Sequence, residues 1–189
     1  MVFVLRGLTF FTCAAALCAQ GAAPRQTAGL ETDWEIGAIL KEISAHATRL
    51  APMLDKIDVK SWIEKGASDT YAEQLRSAKE QASALARGAE ALAENPERLS
   101  ADLEVFFRIQ GIETMLTSLE VGLRKYQTPA DAQALAALNA ENGANRDRLQ
   151  HYIVNLAMQR EQDYQVMDRE AQRCRGVLTQ VPPKPVKKK

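Results

Sequence analysis

From residue 36 onward the apolar positions of this chain recur every three or four residues, and that spacing alone divides it into helices. Ile36, Leu40, Ile43, Ala47, Leu50, Leu54 and Ile57 alternate steps of four and three without a slip, which is the seam of a bundle or coiled coil. Thr32-Asp33-Trp34-Glu35 just before them has the form of a capping box, the Thr32 hydroxyl accepting from an orphan amide while Glu35 reaches back. Pro52 falls inside the run, and because the phase continues past it a kink is expected rather than a stop. Asp58 to Gly66 reads as a turn or short helical segment carrying Trp62 and Ile63.

A second helix is predicted from Ser68 or Asp69, with Tyr71, Leu75, Ala78, Ala82, Leu85, Ala89 and Leu92 in phase and Asn95-Pro96 ending it. Much of this seam is alanine, so a neighbouring helix can approach closely, toward the lower end of the usual interaxial range of about 8–10 Å. A third helix spans about Pro96 to Tyr126, with Ile109, Ile112, Leu116, Leu119, Leu123 and Tyr126 in phase. Leu99, Leu103 and Phe106 sit on a shifted phase, which predicts local rewinding. Thr128-Pro129-Ala130-Asp131 starts a fourth helix with a hydroxyl cap, a proline in the first turn and an acid at the third position.

That fourth helix continues to about Leu178, weakened at Glu141-Asn142-Gly143-Ala144-Asn145. Unbroken, it would span about 75 Å, twice the reach of the first two. Either its end projects or the chain bends near Gly143. Short connections between long helices favour antiparallel neighbours. The expected fold is therefore all-α, an antiparallel up-down-up-down bundle of four long helices, following a cleaved signal peptide.

The signal is residues 1–19, MVFVLRGLTFFTCAAALCA: one positive charge at Arg6, an apolar stretch, then small residues. The apolar stretch is too short to cross a hydrocarbon core, which takes about 20 residues. Cleavage fits after Ala19 or after Gly21. Acylation at Cys18 is disfavoured by the bulky Leu17 before it, where a small residue is usual. Residues 20–31 read as a flexible leader, 32–179 as the helical bundle domain, and 180–189 as a disordered tail rich in proline and lysine. The expected localisation is periplasmic or secreted.

Charge narrows the partners. The chain has 24 basic and 24 acidic residues, and this balance lacks the basic footprint of a nucleic-acid binder. Lys184, Lys187, Lys188 and Lys189 gather at the end of an otherwise acidic chain. They are a solubilising terminus or, less favoured, a weak contact to an anionic envelope surface.

Few residues offer chemistry. Cys174 shares the seam phase of Leu149, Ile153, Leu156 and Met167, so it reads first as buried filler; an intermolecular disulfide or reactive thiol between Arg173 and Arg175 is the alternative. His46 and His151 are the two histidines. His46 falls on the rim of the first apolar stripe, and a haem pocket with Met53, Met158 or Met167 is disfavoured because nothing in the spacing selects a partner. Glu-x-x-His, the mark of di-metal bundles, is absent, Ile43 and Arg148 standing where the glutamates would be. Arg160, Asp163 and Glu170 occupy seam positions of the fourth helix, either because its far part lies at the surface or because they fix register or line a pocket. The repeated Leu-Thr-x-x-Gln signature of periplasmic helical chaperones is missing; Leu178-Thr179-Gln180 does not match it.

No catalytic, cofactor-binding or metal-binding residue is assigned, and no cofactor. The expected function is that of an exported, non-enzymatic helical interaction or scaffold protein, soluble once its signal is removed, with a protein partner or self-association. The alternative is a small-ligand or cofactor carrier using the bundle interior near His46, Arg160 and Asp163.

Overall fold

The structure is a computed structural model that describes residues 33–179. The Thr32 cap, the signal and leader, Cys18 and the lysine tail lie outside the described residues. Within them the chain forms α1 (Asp33–Leu54), α2 (Val59–Glu64), α3 (Thr70–Ala93), α4 (Leu99–Tyr126), α5 (Pro129–Glu141) and α6 (Gly143–Thr179), with no strand among them.

The seam predicted for α1 is buried from Ile36 through Leu54, and Ile57 beyond it stays buried too. Pro52 nevertheless lies in the last turn, and α1 stops two residues later rather than kinking and running on. Lacking an N–H, proline cannot close the turn beneath it. Leu54 and Ile57 keep their place through tight turns, with the Lys56 and Ile57 amides donating to the Met53 and Leu54 carbonyls. Asp58 caps α2 by accepting from the Ser61 amide at 3.1 Å. Gly66, at φ +90°, then ends it: the Ala67 amide donates to the Trp62 carbonyl at 2.9 Å, a closure that needs the left-handed conformation.

Three cross-links set the direction of α3 against α1. Ser44 donates to the Ala86 carbonyl at 2.9 Å, Asp55 pairs with Lys79 at 2.7 Å, and Gly37 faces Ala93. As the number rises on α1 it falls on α3, so the two are antiparallel. Their contact is the most extensive between helices in the structure, as expected where Ala78, Ala82 and Ala89 line the seam. Helix α4 returns antiparallel to α3, with Arg108 on Gln81 at 2.7 Å and Ser118 on Gln74 at 2.9 Å. It begins at Leu99, not Pro96.

Helices α5 and α6 together form the fourth column, antiparallel to α4. Arg146 meets Glu113 at 2.8 Å and Arg160 meets Glu97 at 2.8 Å. Contacts of α6 with α1 close the ring. The start signal at Thr128 is realised: its hydroxyl accepts from the Asp131 amide at 3.1 Å and donates to the Asp131 carboxylate at 2.7 Å. Those bonds, with one from Gln127, hold the Asp131 carboxyl below its ordinary range. The weak point after Glu141 is a real interruption, one residue long, at Asn142.

No rewinding is needed in the first part of α4. Its buried stripe runs back from Ile112 through Ile109 and Val105 to Asp102 in one phase, while Leu103 is exposed. An acid occupies the last fully buried position of the seam, and Leu99 before it is only partly buried.

Candidate interaction surface

Helix α6 belongs to the bundle only at its beginning. Leu149, Tyr152, Ile153 and Leu156 are buried, and the Tyr152 hydroxyl donates to the Pro96 carbonyl at 2.9 Å, pinning the helix to the loop between α3 and α4. Arg160 then donates to the Glu97 carboxylate at 2.8 Å on the same loop. Past Leu156 no residue through Val177 is buried. Residues 157–179 thus extend about 34 Å beyond the bundle floor, at roughly 1.5 Å per residue.

That extension carries apolar side chains. Tyr164 is 69% exposed and Met167 63%, and Val166 and Val177 are also open to solvent. Cys174 is exposed as well. The expectation of a buried filler is overturned, because the seam phase persists past the point where the helix loses its neighbours. Arg160, Asp163 and Glu170 interrupt the stripe along the same stretch, Arg160 paired with Glu97 and Glu170 with Arg173 at 3.2 Å. A polar residue on that face is tolerated because no core lies opposite it.

The bundle interior holds three buried polar side chains among the described residues: His46, Asp102 and Asn142. His46 is not on the rim but 5% exposed, covered by the end of α5. Its Nε2 donates to the Leu138 carbonyl at 2.6 Å, which fixes the proton on that nitrogen. Leu138 is in the last turn of α5, where carbonyls lack intrahelical partners. His46 therefore supplies, from α1, a C-terminal cap to α5. Its Nδ1 and the Asn142 Oδ1 have no partner. Both residues line a small cavity of about 10 Å³ with Leu50, Leu85 and Ile109, room for about one water molecule.

Asp102 is fully buried in the first turns of α4, and neither carboxylate oxygen has a hydrogen-bond partner. Desolvation pushes its carboxyl up to about 7. The periodic signal that points to it was present: it stands seven residues before Ile109 and three before Val105. Its chemistry argued for the surface, and Leu99, Leu103 and Phe106 offered an apolar alternative.

The residues of the carrier alternative do not converge. His46 lies beside Asn142, level with the start of α6, whereas Arg160 is about 26 Å further along that helix, one turn below the last buried residue Leu156, and Asp163 is further still. His151 is exposed. Among the described residues no group of His, Cys, Asp and Glu could hold a metal ion, and no helix is long and apolar enough to cross a membrane. No family model matches the chain, and no curated protein or solved structure matches it either.

Proposed function

We propose that the protein is an exported, non-enzymatic interaction or scaffold protein, periplasmic or secreted, in which an up-down-up-down four-helix bundle presents the far part of α6 to a protein partner. The observation that carries this is the bare stripe of Tyr164, Met167 and Cys174 on a helix that has left its own core. An isolated helix of this length is marginal in water without packing on one face, and exposed apolar groups gathered on one element mark contact surfaces. The signal-like sequence around Arg6 supports export. The separation of His46 from Arg160 and Asp163 favours a scaffold over a carrier.

The test is a photo-crosslinking side chain placed at Tyr164 or Met167 in the producing cell, with Glu90 on the exposed face of α3 as control. Adducts from the α6 positions and none from position 90 are expected. No adduct from either would overturn the proposal. Export is checked separately, by fusing the chain to a reporter that folds only outside the cytoplasm.

A further inference from the structure

We infer that the occupant of the α6 stripe is the same segment of a second copy of this chain, laid antiparallel along residues 157–179. This rests on the interaction-protein reading and names its partner.

The first argument is phase. Met167 comes five whole helical turns after Leu149, so the two share one azimuth, at roughly 3.6 residues per turn. Tyr164, Ala171 and Cys174 fall within the same stripe. The bare face is therefore the continuation of the face that Leu149, Ile153 and Leu156 bury against the bundle. A helix covering it lies beneath the bundle floor, in line with the core.

The second argument is steric and follows from the first. A parallel copy at the usual spacing of about 8–10 Å would carry its own α6 upward into the volume already filled by α1, α3 and α4. An antiparallel copy has its bundle at the opposite end. Each extension is then as long as the one it meets, so each tip stops at the floor of the other bundle. The pairing is isologous and closes on itself.

The third argument is charge. The near part of the extension holds Glu161, Asp163, Asp168 and Glu170 against Arg169, with Arg160 already committed to Glu97. The tip holds Arg175 and Arg173, the latter shared with Glu170 of its own copy at 3.2 Å, and no acid follows Glu170. Antiparallel overlap sets the basic tip of each copy beside the acidic near part of the other; parallel overlap sets like beside like. Alternating polar positions at Arg160, Asp163 and Glu170 make the pair specific in direction at a cost in strength.

The geometry separates two cysteine positions. In a full antiparallel overlap Met167 lies beside the two-fold axis, close to its own copy, while the two Cys174 side chains stand about 18 Å apart along the axis. The experiment uses the full chain with Cys13→Ser and Cys18→Ser, once with native Cys174 and once with Cys174→Ser and Met167→Cys. Under mild oxidation the Met167→Cys chain is expected to form a covalent dimer and the Cys174 chain is not. Sedimentation equilibrium is expected to give a reversible dimer, and Met167→Glu to weaken it at least about tenfold, equivalent to 1.4 kcal/mol, with unchanged helical signal.

A dimer linked through Cys174 would mean a parallel pair and would overturn the inference. So would a dimer linked through neither position, since its interface lies elsewhere. A strict monomer combined with crosslinks from Tyr164 to a different protein in the cell would overturn the second copy and leave the interaction reading intact.

Discussion

Gly122 on α4 faces the ring of Trp62 from α2 so closely that a methyl group there would fall inside the contact radius of Cζ3, with Cη2 at 3.0 Å and Cε3 at 3.1 Å. Trp62 is buried, edge-on to Tyr71 at 5.5 Å and stacked on Tyr126 at 6.1 Å. This cluster closes the end of the bundle where α1 gives way to α3. Helix propensity alone favours alanine over glycine by about 1 kcal/mol. Overpacking a fixed ring costs roughly 1–3 kcal/mol. Gly122→Ala is expected to destabilise the protein in urea, and Trp62→Phe to make the same change harmless in a double-mutant cycle. A stabilised Gly122→Ala would show that the Trp62 ring can give way.

Asp102 makes stability depend on pH, in the opposite sense to a paired carboxylate. Its folded carboxyl titrates at about 7, against about 3.9 in an unfolded chain. Between those values the folded state holds a proton that the unfolded state has released. Stability is therefore full below about pH 4, falls as pH rises through about 7, and is level above that, a loss on the order of 4 kcal/mol. Asp102→Asn is expected to flatten the slope, raising the urea midpoint near pH 8 and leaving it almost unchanged near pH 4. A wild-type midpoint constant over that range would count against a buried, unpaired acid.

Two contacts join α1 to the end of α5, and they differ in worth. The bond from His46 to the Leu138 carbonyl is buried; Arg49 meets Glu141 at 2.6 Å in solvent. His46→Ala leaves a buried carbonyl unsatisfied, at about 1–3 kcal/mol, and should speed amide exchange in the last turn of α5. Glu141→Gln removes an exposed pair worth about 0–1 kcal/mol. Equal losses from the two would place the clasp at the ion pair instead.

Cys174 should behave as a surface thiol. In the Cys13→Ser, Cys18→Ser chain, a maleimide is expected to label it to completion without denaturant. Cys174→Ser should shift stability by no more than about 0.5 kcal/mol, as surface changes do. Protection from the reagent in the dilute monomer would return it to the core.

Periodicity makes most of the architecture legible in the sequence. The seam of α1 is buried residue for residue, those of α3 and the later part of α4 are buried except at the half-buried Tyr71, Leu75 and Tyr126, and Thr128 starts α5 as its chemistry dictates. Periodicity could not say where a seam stops having something opposite it. Cys174 keeps the phase of Leu149 yet is bare, because burial depends on where the other three columns end. Chemistry misled at Asp102, where the pattern asked for a buried residue and the carboxylate argued against one. His46 was hidden for a third reason: what covers it is the end of α5, about ninety residues away in sequence.

The passage of α6 out of the bundle also splits the protein's response to heat. Side chains that bury surface melt together, because each holds its neighbours in place. Beyond Leu156 there is no such mutual support in a single chain, and the turns there open one after another from the tip. Ellipticity of the dilute monomer should slope downward well before the main transition. A calorimeter, which responds to surface coming out of a core, should register only the transition of the bundle.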